Sequence, residues 1–389
     1  MPILPGSGPL PHAGELLRRA TWVGGVLLVV LGLPPVGAGL TEGVVAAYGD
    51  WPPAPLGGER APGFSWPVFL AIAAVVAAVL APFLLRVLRA PTPEAFRPAR
   101  VPFPWWAWLG LALVAGSWAV AWGAPDAWVA LRRHAFTPLW LGFVLVVHGL
   151  VQVRAGHSLP ARHPGAFLLL FPISAGFWWV FEYLNGFAEN WSYLGTGEQE
   201  GWARFLASSL PFATVLPAVL GVRDLLATFP RLEAGLERMP GIGAARRRPV
   251  AGWVVAAGAL GLVGIGLLPE ILYPLLWVAP LLVLVGLQEL AGERSLLGVL
   301  AAGDWRPVWR AALAGLVCGF FWELWNWGSL ARWEYTVPYV DRFHLFAMPI
   351  LGYAGYLPFG LECVAAVTLV LRRNRARLLW GPVGGAGQG

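Results

Sequence analysis

The chain has 389 residues, 58% of them hydrophobic and only 12% charged, with a formal net charge of +6. Soluble domains carry about 25% charged residues. Half that share, with a mean hydropathy of +0.65, excludes an ordinary soluble protein and makes the bilayer the solvent. The positive balance reads as arginine-rich cytoplasmic loops, the one at about 227–249 being of a common membrane-surface type, so no nucleic-acid partner is expected.

Ten apolar windows of spanning length follow one another. They cover roughly 20–40, 66–88, 105–123, 138–153, 166–186, 202–226, 250–268, 271–291, 308–328 and 346–371. In the first, Leu27 to Leu33 runs into Pro34-Pro35 rather than a small-residue cleavage site, which reads as a retained helix. Every second loop is basic. Arg18 and Arg19 precede the first window, Arg86 to Arg100 follow the second, Arg154 and Arg162 the fourth, and Arg231 to Arg248 the sixth. Arg294 and Arg306 follow the eighth, and Arg372 to Arg377 the tenth. The positive-inside rule then puts both termini in the cytoplasm of a cell-membrane protein. The opposite loops carry Glu42, Asp50 and Glu59, then Glu189, Glu198 and Glu200. Arg132 and Arg133 break the pattern by facing outward. Prolines 172, 211, 217, 349 and 358 predict kinks.

A duplicated cassette organises the rest. Gly176 to Asn185 reads GFWWVFEYLN, and Gly319 to Asn326 reads GFFWELWN. Each places a carboxylate three residues before an amide, Glu182 with Asn185 and Glu323 with Asn326, and each reaches a Trp-x-Tyr, Trp191 to Tyr193 and Trp333 to Tyr335. Further anchors recur in the same order at an offset of about 140 residues. They are a Pro-Leu opening at Pro138 and Pro274, and Arg204-Phe205 and Arg342-Phe343, each Arg seven residues before a proline.

The expected fold class is therefore an all-α polytopic membrane protein of about ten transmembrane helices, with two parallel four-helix repeats preceded by two extra helices. The expected division is 1–100 for the first two helices and a basic loop, 101–228 for the first repeat, 229–249 for a cytoplasmic linker, 250–373 for the second repeat and 374–389 for a disordered tail.

Ionisable groups inside membrane helices are expensive and usually functional. Glu and Asn three apart share a helix face, so pseudo-symmetry should bring Glu182, Asn185, Glu323 and Asn326 into one cavity near the outer face. Two carboxylates in a low-dielectric pocket repel, which leaves one protonated near neutrality as a general acid. Arg204 and Arg342 are expected to begin the next span in each copy, and to pair with these carboxylates or clamp an anionic head group. Trp178, Trp322, Tyr193, Tyr335 and His344 complete the expected substrate-binding set. His148 and Glu362 form a second polar site. The competing reading is structural: a Glu–Arg pair that locks two helices, an Asn that bonds backbone, and aromatics that anchor the interface.

Cys318 and Cys363 lie in apolar runs and form no metal motif; no metal site and no cofactor is expected. No P-loop, Gly-x-Ser-x-Gly or His-Glu-x-x-His occurs. The Trp322-Glu323 doublet resembles a feature of membrane-integral terpene cyclases, and two residues assign no family. Three readings follow. The first is a membrane-embedded enzyme using Glu as acid and base on a lipid or isoprenoid-type substrate, with the aromatics stabilising a developing cation. The second is a transporter or channel for a small cation or organic solute, and the third a non-catalytic membrane scaffold. In the first, the partner is a lipid or other hydrophobic small molecule within the membrane.

Overall fold

The computed structural model describes residues 13–41, 62–197 and 201–370. Glu42, Asp50, Glu59, Glu198, Glu200, Arg372 to Arg377 and the expected tail lie outside them. In chain order the helices are α1 (Ala13–Thr41), α2 (Trp66–Arg89), α3 (Trp105–Gly123), α4 (Val129–His134), α5 (Phe136–Ala155), α6 (Leu159–Arg162) and α7 (Pro164–Ala188). Then come α8 (Gly201–Phe212), α9 (Val215–Leu226), α10 (Arg247–Leu267), α11 (Pro269–Leu272), α12 (Ala279–Leu290), α13 (Leu296–Ala301), α14 (Arg306–Trp327) and α15 (Tyr356–Val370). Two antiparallel pairs of short strands complete the elements, β1 (Trp191–Leu194) with β2 (Arg332–Tyr335), and β3 (His344–Leu345) with β4 (Met348–Pro349).

Among the described residues nine helices are long and apolar enough to cross a membrane, or up to ten when a bent pair counts as one span. The chain is an all-α polytopic membrane protein. The bent pair is Pro269–Trp277 with Ala279–Leu290, at 47°, where the sequence predicts one continuous helix.

The predicted helix at 202–226 is one span, Gly201–Leu226, with a local turn at Ala213 and Thr214 between α8 and α9. Ser174 of α7 fills the gap. Its hydroxyl donates to the Phe212 carbonyl at 2.6 Å and accepts the Leu216 amide at 3.0 Å. A neighbouring side chain thus completes the hydrogen bond that the turn opened, the condition for irregular backbone inside a membrane.

Helix partners follow a regular pattern. α3 packs on α5 as α10 packs on α12, α5 on α9 as α12 on α15, and α7 on α9 as α14 on α15. Across the middle α9 packs on α14 and α15 on α7. α1 packs along α10, and α2 buries no residue.

A close crossing joins α14 to α15, through Gly315, Gly319 and Gly360. A Cβ on Gly360 would lie 2.1 Å from the Ala311 carbonyl oxygen. That atom is helix backbone and cannot yield, so Gly360→Val should force the helices apart at about 1–3 kcal/mol. Gly176→Ala on α7, where nothing lies within 4 Å, should lose no stability. Thermal unfolding in detergent compares the two, and equal melting of both variants would refute the crossing.

The segment expected to be a plain linker is built into the bundle. Leu236 is fully buried. The Leu236 carbonyl accepts the Trp305 amide at 2.9 Å, and the Met239 amide donates to the Gly303 carbonyl at 2.8 Å. Glu233 meets Arg310 of α14 in a two-pronged ion pair, with 2.9 and 2.6 Å bonds. Arg231 donates to the Val87 carbonyl at 2.8 Å, capping the C-terminus of α2.

Candidate functional site

The two cassettes meet at one end of the bundle. α7 stops at Ala188, and Glu189 adopts a left-handed conformation (φ 48°) that turns the chain back. Asn185 holds that return. Its Nδ2 donates to the Trp191 carbonyl at 2.8 Å, and its Oδ1 accepts the amides of Asn190 at 2.8 Å and Trp191 at 3.3 Å. β1 is thereby laid against the helix end, which delivers its side chains to Glu182. The Glu182 Oε1 accepts from the Trp191 indole at 3.1 Å, the Tyr193 hydroxyl at 2.6 Å and the Trp178 indole at 2.8 Å.

The second cassette repeats the plan with two changes among the donors. Asn326 bonds both the carbonyl and the amide of Trp333, at 2.8 and 2.7 Å. Tyr335 donates to Glu323 Oε1 at 2.7 Å, and the Trp333 indole donates to the Tyr335 hydroxyl at 2.7 Å. The residue one turn before Glu323 is Gly319, where the first copy has Trp178. A Cβ there would lie 2.2 Å from the Tyr356 ring. The missing side chain admits Tyr356 from α15, whose hydroxyl donates to the same Oε1. The two cages therefore draw one of their donors from different elements.

The Trp-x-Tyr segments then pair with each other. Trp191 faces Tyr335 and Tyr193 faces Trp333, with Ser192 opposite Glu334. The ladder is symmetric about its centre, and it joins the two cassettes. Beneath it Phe359 of α15 is a shared wall, with ring centroids 5.7 Å from Trp178, 5.3 Å from Phe181 and 5.9 Å from Trp322. Trp277 packs 5.6 Å from Trp191 and 5.8 Å from Phe359.

The carboxylates differ in setting. Glu323 is fully buried, and its Oε2 has no hydrogen-bond partner. Glu182 is half-buried, and its Oε1 is held by three donors. Burial, and then the charge of Glu182, pushes the Tyr193 phenol well above its ordinary value. Burial and Glu323 do the same to Tyr335. Both therefore remain donors at physiological pH.

Other expected site residues fall elsewhere. Arg342 does not begin a helix. It is exposed on the loop before β3, and its guanidinium lies over the Phe64 ring at 4.9 Å. The cause is that Pro338 to Pro349 forms a turn and the β3–β4 hairpin, so the last span starts at Ile350 instead of 346. His344 is exposed on β3 and meets Asp341 at 2.8 Å. The amides of Asn185 and Asn326 bond backbone rather than their neighbouring carboxylates, so they position strands. His148 is buried between helices, with Nε2 3.2 Å from the Pro217 carbonyl. Glu362 is buried on α15 with Oε2 unpartnered.

The sequence reading missed Tyr356, Phe359 and Trp277. Tyr356 and Phe359 lie in the Tyr-, Gly- and Pro-rich run that opens the last span, and Trp277 follows the Pro274 opening shared with the first copy. Among the described residues no three His, Cys, Asp or Glu side chains group as metal ligands. Compared with known proteins, the chain matches no protein family, no curated protein and no solved structure.

Proposed function

We propose that this protein is a membrane-integral enzyme that moves a proton on a lipid or isoprenoid-type substrate at the cassette end of the bundle. One observation carries this reading. A carboxyl at the same helix position is held in an aromatic and hydroxyl cage in both cassettes, although one donor of each cage comes from a different element. Simple packing does not require Tyr356 to replace the donor that Gly319 lacks.

In this reading Glu323 is the acid. Its Oε1 accepts two phenols, so Oε2 is the atom that carries and releases the proton. Glu182 serves as the opposing base or as a stabiliser of developing positive charge. Trp178, Trp322, Tyr193 and Tyr335 would contact the substrate, and Asn185 and Asn326 position the strands. Arg204, with Arg342 and His344 at the rim, would hold a head group.

The architecture that goes with it has ten spans, the bent pair being one. Two parallel four-helix units, 101–228 and 250–373, follow two added helices. Both termini are cytoplasmic and the cassettes lie outward. The matching helix partners and the symmetric β1–β2 register support two units related by an axis along the membrane normal.

A second reading has its own support. Each amide is used by backbone and each carboxylate is fully caged at one oxygen, as in a non-catalytic lock. Turnover of a total lipid extract by purified protein, with melting measured in parallel, separates the two. Glu182→Gln and Glu323→Gln keep an acceptor for the cage but cannot pass a proton. The enzyme reading expects turnover to drop by about 10²–10⁴ with melting little changed. Full turnover in both variants would exclude the acid role, and losses that track melting would favour the lock.

A further inference from the structure

A cavity of about 560 Å³ lies at the opposite, arginine-rich end of the bundle. Its walls are the first turns of α1, the end of α12 and the last turn of α15. Two cations, Arg18 and Arg19, line it. Arg18 is 3.9 Å from Glu293, also in the wall, and its side chain is 69% exposed. Arg19 donates to the Val370 carbonyl at 3.3 Å.

Two further polar groups in the wall are incomplete. Gln288 is only 1% exposed, and its Nε2 donates to the Ala365 carbonyl at 2.9 Å. That leaves its buried Oε1 without a donor. The Trp22 indole N–H is buried without an acceptor. Orphaned polar groups of this kind cost free energy unless a ligand or water completes them. The cavity thus presents two guanidiniums, the Glu293 carboxylate beside Arg18, one N–H seeking an acceptor and one carbonyl seeking a donor.

We propose that this cavity binds the head group of an anionic phosphoglycerol lipid. The phosphodiester lies against Arg18 and Arg19 and accepts from Trp22. A glycerol hydroxyl donates to Gln288, and Glu293 is a second acceptor for the polyol. A lipid is the source rather than a free phosphate because the cavity opens beside apolar surface on the same helix. Leu17 in its wall is 70% exposed and Leu28, three turns further along α1, is 76% exposed. Acyl chains can lie along that face while the charged head stays at the interface. The site is independent of the caged carboxylates, and its test does not depend on turnover.

The test is lipid titration of delipidated protein, read by native mass spectrometry and melting temperature. Phosphatidylglycerol should give a one-to-one adduct and raise the melting temperature, while phosphatidylcholine and soluble glycerol 3-phosphate should do neither. Arg18→Gln with Arg19→Gln should weaken the adduct by roughly tenfold or more. Gln288→Leu should erase the preference for phosphatidylglycerol over phosphatidic acid while anion binding persists. Arg97→Gln, at a surface arginine whose side chain is 90% exposed, should change nothing. Equal binding of phosphatidylcholine would overturn the proposal. So would tight binding of glycerol 3-phosphate, a loss in Arg97→Gln as large as in the double variant, or no adduct with any lipid.

Discussion

Arg310→Leu is expected to destabilise the protein by about 3–5 kcal/mol. Arg310 is 7% exposed and Glu233 9% exposed, and the guanidinium holds both carboxylate oxygens. Removing one partner strands a buried charge in a low-dielectric setting, which costs far more than the pair contributes. Removing both should therefore be nearly neutral. A double-mutant cycle of Arg310→Leu and Glu233→Leu, followed by thermal unfolding in detergent, measures this coupling. The double variant should melt well above either single variant. An Arg310→Leu protein within about 1 kcal/mol of the parent would show that water reaches Glu233 and that the pair does not anchor the segment. The result bears on the site, since α14 carries Arg310 at one end and Glu323 at the other.

Glu323→Leu comes next in size. The leucine leaves the Tyr335 and Tyr356 hydroxyls with no carboxylate to accept them. An unsatisfied buried donor costs about 1–3 kcal/mol, so the pair should cost roughly 2–6 kcal/mol. Tyr335 and Tyr356 are 3.4 Å apart, so one hydroxyl can fall back on the other, which puts the loss toward the lower figure. Glu323→Gln keeps an acceptor oxygen and should cost far less. Glu182→Leu strands three donors, yet it should be milder than Glu323→Leu, because Glu182 is only half-buried and water can replace it. Gly319→Ala provides the geometric control, since its methyl meets the Tyr356 ring and must displace that hydroxyl. Unfolding of the four variants gives the order. Equal losses for Glu182→Leu and Glu323→Leu would mean that the two cages share one environment.

Hydropathy placed the spans closely. The window 105–123 coincides with α3, and 202–226 with the pair α8–α9. Apolar length is a local property that the bilayer reads directly. The duplicated Glu-x-x-Asn was equally visible, because spacing along one helix is local too. The strand pairing was not visible. Two four-residue segments far apart in sequence have no local signal for each other, and only the packing of α9 on α14 and of α15 on α7 brings Trp191 opposite Tyr335. Arg342 shows the limit of the repeat argument. Matching sequence anchors implied a matching helix start, but the second copy forms a hairpin there and puts the guanidinium on Phe64.

The sequence by itself determined the membrane class, the order of the spans and the two acidic positions, since each depends on composition or on neighbours within a few turns. Only the tertiary structure decided that Asn185 and Asn326 hold backbone and that Tyr356 fills the space at Gly319. It alone also tied residues 229–249 to α14. Those contacts join segments distant along the chain, and the close approach of helix backbones that creates them leaves no trace in local periodicity.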